Sequence, residues 1–148
     1  MSLKKLLLGE EIHLNDDFFG RIESERTRSK TAKSLDWFFS AKIGNMEQST
    51  EIIAKGNYQG ININQKTILK DFVENFDSIY SLKVDALINS NKKYSKLSNW
   101  KTDYYISLIH PDLNGSDNDF EIGFMSYKNK NDFFMIQLRN QEMNSLQL

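Results

Sequence analysis

The fold is decided by the stretch Ser34-Leu35-Asp36-Trp37-Phe38-Phe39-Ser40-Ala41-Lys42-Ile43. Apolar side chains recur at every second position of this stretch, which is the period of a β-strand with one buried face. The positions that share this face are Leu35, Trp37, Phe39, Ala41 and Ile43. Gly44-Asn45 follows directly and is a turn signal. We therefore predict a strand in a sheet whose inner side includes Trp37 and Phe39.

Two shorter β-like runs lie on either side of this strand, at residues 18–26 and 50–54. The second run contains Ile52 and Ile53 and is closed by Lys55-Gly56-Asn57. Short strands that follow one another closely favour antiparallel pairing, because parallel pairing needs a crossover of about a dozen or more residues. The first part of the chain is therefore predicted to form an antiparallel meander.

After Ile63 the apolar residues are spaced by three and four, which is the period of an amphipathic helix. We expect Asn64 to be the N-cap, because its side-chain oxygen can accept a free backbone N–H. The pattern predicts one long amphipathic helix, roughly from Gln65 onward, packed on one face of the sheet. A break near Asp77-Ser78, giving two helices, fits the sequence as well. The helical stripe consists of Ile68, Leu69, Phe72, Val73, Phe76, Ile79 and Tyr80, and it extends to Val84, Leu87 and Ile88.

The last third of the chain returns to strands. Residues 92–101 are polar and fit a short helix, and the strand runs are at 103–110, 120–125 and 133–138, the last two forming a hairpin. The sequence thus predicts one α+β domain over residues 1–148, with a helix packed across an antiparallel sheet made of an N-terminal meander and C-terminal hairpin strands. Residues 1–10 are expected to be a short strand or a flexible arm.

Composition narrows the classes of function. The 19 basic and 20 acidic residues leave a net charge of -1, so no overall field attracts nucleic acid or an anionic membrane, and we expect neither as a partner. The chain has no cysteine, which excludes disulfides, thiolate nucleophiles and cysteine-ligated metals. No apolar run approaches the roughly 20 residues that span a bilayer, and Leu6-Leu7-Leu8 is too short for a signal peptide. These features predict a cytoplasmic protein.

The sequence offers no convincing motif for a metal, a cofactor or catalysis. The segment from Asp112 to Asn118 places oxygen-bearing side chains at alternate positions, as a calcium loop does, but Asp117 and Gly123 stand where an EF-hand requires Gly and Glu. His13 and His110 are the only histidines, and their spacing matches no metal motif. No glycine-rich phosphate loop is present. We therefore predict no catalytic, cofactor-binding or metal-binding residues.

Two groups of charged residues are predicted to lie on the solvent-exposed surface. The basic group surrounds the first connection and is interleaved with Glu23 and Glu25, as is usual for exposed strands. The acidic group lies beside the apolar stripe of the helix. The basic group consists of Arg21, Arg26, Arg28, Lys30 and Lys33, and the acidic group of Asp71, Glu74 and Asp77.

The order of features resembles a group of uncharacterised bacterial domains. The resemblance rests on Asp17-Phe18-Phe19-Gly20 opening a strand, Trp37 on the next strand, a strand ending in Gly56-Asn57, and a Gln65-led helix to Asp77. It covers about residues 16–140. Domains of this kind are often found among immunity-like proteins near toxin genes. The resemblance implies a fold and a biological setting, and it implies no catalytic residues.

Two functions are compatible with the sequence, beside the further alternative of a structural homo-oligomer formed through an exposed sheet edge. The first is a protein-binding module of immunity type that blocks a toxin partner by occlusion, using aromatic anchors on a sheet face or on the helix. The anchors that we expect are Tyr58, Trp100, Tyr104 and Tyr105. The second is an enzyme of unrecognised type, with Asp, Glu and His side chains assembled by the fold. A cleft that holds His13 or His110 beside carboxylates would favour the enzyme.

Overall fold

Nine strands form one open sheet in the computed structural model, which describes residues 2–148. Five strands precede the main helices: β1 (His13–Asp16), β2 (Gly20–Ser24), β3 (Leu35–Lys42), β4 (Ser49–Asn57) and β5 (Gly60–Ile61). Four strands follow them: β6 (Tyr104–Pro111), β7 (Phe120–Ser126), β8 (Phe133–Arg139) and β9 (Glu142–Gln147). The helices are α1 (Leu3–Leu8), α2 (Ile63–Glu74), α3 (Ser81–Asn89) and α4 (Trp100–Asp103), with a π-helical turn (Phe76–Tyr80) between α2 and α3 and a 3₁₀ segment (Lys92–Leu97) before α4.

The sheet consists of two antiparallel meanders joined by one parallel pair. The strand order is β1-β2-β3-β4-β6-β7-β8-β9, with β5 paired to β4 beside this path. Strands β4 and β6 run parallel, with Glu51 opposite Leu108, and the helical segments supply the crossover that such a pair requires. The buried Thr50 hydroxyl donates to the Ile106 carbonyl across this joint at 2.7 Å. The predicted α+β class and the mostly antiparallel sheet are confirmed.

One face of the sheet is buried under the helices. On β3, Leu35, Trp37 and Phe39 are buried while Phe38 is 43% exposed, so the predicted one-sided burial of this strand is confirmed. The Trp37 indole N–H donates to the Asn57 carbonyl at 3.0 Å, which satisfies its one polar atom. The same core contains Phe72 from α2. The helical side chains therefore pack on the face that carries Trp37.

The prediction of one long amphipathic helix is wrong. The longest helix, α2, has 12 residues and ends at Glu74, and its C-cap Asn75 leaves α-helical geometry (φ -111°, ψ 16°). The π-helical turn follows, with the N–H groups of both Ile79 and Tyr80 donating to the Asn75 carbonyl at 2.9 and 3.3 Å. The Asp71 carboxylate accepts from the Asn75 amide at 2.8 Å and from the Tyr80 hydroxyl, which ties the two sides of the turn together. The N-cap is Asn62, whose side chain accepts from the Asn64 N–H at 2.9 Å, and not Asn64.

The spacing of the stripe explains the π-helical turn. Phe72, Phe76, Tyr80, Val84 and Ile88 are all buried and lie four residues apart. In a regular α-helix each four-residue step overshoots one turn by about 40°, so a continuous helix would rotate these side chains away from the sheet. The wider π turn takes up the excess and keeps the stripe facing inward.

The first ten residues differ from the expectation of a strand or a flexible arm. The structure has the short helix α1, capped by the Ser2 side chain, which accepts from the Lys5 N–H at 3.3 Å. Glu10 then bridges to Thr27 beside β2. Residue 1, where the prediction begins, lies outside the described residues. None of the helices in the range 2–148 is both long enough and apolar enough to cross a membrane.

Candidate functional site

The face of the sheet opposite the helices carries an apolar patch, which we call the open-face patch. It consists of Tyr105 and Leu108 on β6, Met125 on β7, and Phe133 and Met135 on β8. None of these side chains belongs to the core cluster formed between the sheet and the helices. Phe133 is 54% exposed, and the other four are partly exposed. Apolar side chains on three neighbouring strands thus face away from the core together.

Strand register places the patch in two adjacent rows. In the first row Tyr105 lies opposite Met125, which lies opposite Phe133. In the second row Leu108 and Met135 flank Gly123, which has no side chain of its own. A β-bulge between Ile106 and Leu108 keeps Tyr105 and Leu108 on the same face although they are three residues apart. Side chains opposite one another in a sheet lie within contact distance, so the rows form a continuous surface.

A cleft of about 360 Å³ lies at one end of this patch, and we call it the rim cleft. Its walls come from five places in the chain: the β3–β4 loop, the π-helical turn, the start of α3, the start of α4, and the segment after β7. Tyr127 connects cleft and patch, because its ring lies 5.0 Å from the Tyr105 ring and is 46% exposed. The lining residues are Asn45, Met46, Glu47, Phe76, Asp77, Ser81, Trp100, Lys101 and Tyr127.

The floor of the rim cleft is fixed by buried aromatic rings. Trp100 is buried, and its indole N–H donates to an Asp85 carboxylate oxygen at 2.7 Å. The other Asp85 oxygen accepts from the Lys101 ammonium at 2.9 Å, and that ammonium lies 5.6 Å from the Trp100 ring centroid. Phe76 meets Trp100 edge to face at 6.3 Å. The floor is therefore aromatic, and Asp85 matches the lysine charge at its edge.

The Asp77 carboxylate approaches Gly44 closely at the acidic wall of the cleft. Gly44 has φ +56°, a left-handed backbone conformation that favours glycine. The buried Ser81 hydroxyl donates to the Asp77 carbonyl at 2.9 Å, which holds the π-helical turn against α3.

The electrostatic balance of the cleft is negative. Within residues 2–148, neither Glu47 nor Asp77 forms an ion pair, whereas Lys101 is matched by Asp85. Partial burial, and after it the Glu47 charge, raises the pKa of the Tyr127 hydroxyl. The Glu47 carboxylate therefore lies close enough to the Tyr127 hydroxyl for its negative charge to act on it. The cleft thus combines aromatic surface with two unmatched carboxylates.

The four aromatic residues expected to anchor a partner lie in different environments. Tyr105 belongs to the open-face patch, and Trp100 is the buried floor of the rim cleft. Tyr104 is buried on the helix side, where its hydroxyl donates to Asp132 at 2.8 Å, and burial followed by that bond raises its pKa to about 12. Tyr58 is exposed in the β4–β5 turn.

These four residues do not form one surface. Glu51 of β4 lies opposite Leu108 of β6, so Tyr58 stands about ten residues further along the sheet than Tyr105. At about 3.3 Å per residue this separation is on the order of 30 Å. Of the four, only Tyr105 belongs to the open-face patch, while Trp100 and Tyr104 are part of the core on the helix side.

Sequence reasoning missed most of the surface that the fold assembles. Met125, Phe133 and Met135 were not singled out, although apolar residues on both faces of residues 133–138 were a visible signal. Asp77 was assigned to a solvated face of the helix, and Glu47 was not considered. No local pattern links Glu47 to Asp77, because only the fold brings the β3–β4 loop to the π-helical turn.

The Asp112–Asn118 segment, considered above as a calcium loop, is held by an ion pair within the chain. The Asp112 side chain is fully buried and accepts from Arg139 and from the Asn114 N–H, both at 2.9 Å. The Arg139 guanidinium lowers the pKa of this carboxyl and takes the place that a cation would occupy. No group of three or more His, Asp or Glu side chains within residues 2–148 could hold a metal ion.

The two histidines lie on strand surfaces. His13 is 3.4 Å from Glu23 on the β1–β2 pair, and His110 is 3.4 Å from Glu121 on the β6–β7 pair. Neither lines the rim cleft.

A second, larger cleft of about 550 Å³ lies between α1 and the segments around Ile12 and Thr27. One of its walls is α1, a six-residue helix that buries none of its side chains. The rim cleft is the better defined of the two, since buried aromatic rings fix its floor.

Comparison with known proteins gives no family for this chain. No protein-family model matches it, no curated protein matches it, and no solved structure matches it.

Proposed function

We propose that this chain is a protein-binding module of the immunity type, which inactivates a toxin protein by covering part of its surface. The observation that carries the proposal is the open-face patch, where Tyr105, Met125, Phe133 and Met135 face away from the core. Aromatic residues and methionine are the types enriched at the centres of protein interfaces. Isolated exposed apolar residues need no explanation, but a contiguous group on neighbouring strands is typical of an interaction surface.

The face has suitable dimensions for a stable complex. Six strands from β3 to β9, leaving β5 aside, span about 24 Å at roughly 4.8 Å per strand. A seven-residue strand such as β8 extends about 23 Å. The resulting area, with the loops that surround it, is of the same order as the roughly 800 Å² that each partner buries in a standard interface.

The resemblance to immunity-like domains, which are often found near toxin genes, suggests the class of partner, a toxin protein. The enzyme alternative requires a histidine beside carboxylates in a cleft. Both histidines lie on strand surfaces outside the rim cleft, so the binding module is the function that the geometry supports best.

The test is the affinity of the purified chain for the product of a toxin gene found next to its own gene, measured by isothermal titration calorimetry. Phe133→Asp places a charge at the exposed edge of the patch, and Leu113→Asp makes the same kind of change at an exposed loop residue away from it. We expect Phe133→Asp to weaken binding at least tenfold, because a charge would be buried without a partner, and Leu113→Asp to leave it unchanged. The absence of a complex, or an equal loss in both variants, would contradict the proposal.

A further inference from the structure

We infer that the rim cleft receives a basic side chain of the partner, a lysine ammonium or an arginine guanidinium, while the open-face patch is covered. This inference rests on the proposed function and adds the chemistry of the group that the partner must present. It is carried by the size of the cleft, its charge, its aromatic surface and its position.

The volume of the cleft suits one side chain. Sites for drug-sized ligands and cofactors occupy roughly 300–1,000 Å³. At about 360 Å³ the rim cleft lies at the small end of that range. A single long side chain inserted from a docked surface is therefore a better match than a large cofactor.

The charge of the cleft selects a cation. Glu47 and Asp77 carry two negative charges that no ion pair offsets within residues 2–148, and the one lysine in the lining is already matched by Asp85. Both carboxylates are exposed, so their attraction for a cation is that of surface charges, modest and screened by salt. An anionic or neutral side chain would gain nothing from this arrangement.

The aromatic surface suits the same cation. The Trp100 ring is buried, and the Lys101 ammonium already lies 5.6 Å from its centroid. The ring that remains open to an incoming cation is that of Tyr127, which lines the cleft and is half exposed. A side chain that enters the cleft would place its charge near the carboxylates and the Tyr127 ring, while its methylene groups contact aromatic surface.

The walls are held in place before any partner arrives. Asp77 lies close to Gly44 of the β3–β4 loop, and the Ser81 hydroxyl holds the Asp77 backbone at 2.9 Å. On the loop itself, the Met46 sulfur accepts from the Ile106 N–H at 3.4 Å. A site with fixed walls loses little entropy on binding, which favours affinity and specificity.

The position of the cleft joins it to the docking surface. Tyr127 lines the cleft and packs 5.0 Å from Tyr105, which belongs to the open-face patch. A partner that covers the patch therefore brings its edge over the mouth of the cleft. Burial of the surrounding patch would exclude water from a cation held there, which is the arrangement found at interface hot spots.

The test uses the free chain and three small probes, followed by NMR. The probes are Nα-acetyl-arginine amide, Nα-acetyl-lysine amide and the uncharged Nα-acetyl-citrulline amide, which has nearly the shape of the arginine probe. The reporters are the Trp100 indole N–H and the backbone N–H of Tyr127. We expect both charged probes to shift these signals, with an affinity that falls as salt is added, and the citrulline probe to bind at least several-fold more weakly.

Variants assign the effect to the two carboxylates. Asp77→Asn and Glu47→Gln should each weaken the arginine probe about two- to fivefold, the range expected for one exposed charge pair. Glu74→Gln is the matched control, because Glu74 pairs with Lys70 on α2 and does not line the cleft. Equal binding of the arginine and citrulline probes, no shift at either reporter, or the same response in Asp77→Asn and Glu74→Gln would overturn the inference.

The two proposals fail separately. The titration needs no partner, so shifts with the charged probes together with no toxin complex would contradict the proposed function alone. A toxin complex that tolerates Asp77→Asn and Glu47→Gln, with no probe binding, would contradict this inference alone.

Discussion

The interruption of the helix by the π-helical turn predicts that two similar residues of the apolar stripe contribute very differently to stability. Leu69 and Ile79 are isomers, and a regular helical stripe would bury both of them. In the structure Leu69 is 0% exposed and Ile79 is 45% exposed, because the π-helical turn rotates Ile79 outward. Truncation to alanine removes the same three carbon atoms at each position, so the comparison isolates the effect of burial.

The expected magnitudes follow from the exposures. For Leu69→Ala, three buried carbons at about 0.8 kcal/mol each give about 2.4 kcal/mol. The cavity left under α2 raises the total to roughly 3–4 kcal/mol, within the range of measured Leu→Ala substitutions. Ile79 keeps about half of its side chain in water and leaves no enclosed cavity, so Ile79→Ala should cost about 1 kcal/mol or less.

Equilibrium unfolding in urea, followed by the fluorescence of the buried Trp37 and Trp100, measures both values. The linear dependence of the free energy of unfolding on urea concentration then gives the difference between the variants. We expect Leu69→Ala to be the less stable by about 2 kcal/mol or more. Equal destabilisation of the two variants would refute the helical break and would restore the continuous helix.

Two further predictions concern the joints of the sheet. Thr50→Val should lower the free energy of unfolding by about 1–2 kcal/mol, because it removes the buried hydrogen bond to the Ile106 carbonyl at nearly constant volume. Urea unfolding measures this loss, with Thr50→Ser, which keeps the hydroxyl, as the control. Equal stability of Thr50→Val and wild type would contradict the prediction. Asp112→Asn should destabilise the protein at pH 7, since the Arg139 guanidinium lowers the pKa of the folded-state carboxyl and so stabilises the fold above the unfolded-state pKa. The difference in stability from wild type should disappear as the pH falls through the folded-state pKa. A difference in urea unfolding that does not change with pH would show that it does not come from the Asp112 charge.

The local part of the fold could be predicted from the sequence, because it depends on neighbours along the chain. Alternation at Leu35, Trp37 and Phe39 identifies both the strand and its buried face. Strand β9 was missed, since its hairpin turn uses Asn140 and Gln141 at positive φ (50° and 64°) where glycine would have been a clear signal. The parallel pairing of β4 with β6 joins residues about 57 positions apart in the chain, so no local sequence pattern predicts it.

The candidate site was less predictable than the fold. Alternation indicates that Tyr104 and Tyr105 face opposite sides of a strand, but it does not indicate which side the helices cover. The structure buries Tyr104 and leaves Tyr105 on the open face. The carboxylates of the rim cleft come from the β3–β4 loop and the π-helical turn, so their proximity is a property of the tertiary fold alone.

We propose that the sheet face opposite the helices docks the toxin. Hydroxyl-radical footprinting of the chain, free and mixed with the product of an adjacent toxin gene, tests this docking surface, because the methionines report on both faces. Met125 and Met135 lie on the open face, whereas Met143 is buried on the helix side. We predict that the toxin slows oxidation of Met125 and Met135 several-fold and leaves Met143 unchanged. Unaltered oxidation of Met125 and Met135 in a saturated mixture would show that the toxin does not cover the open face.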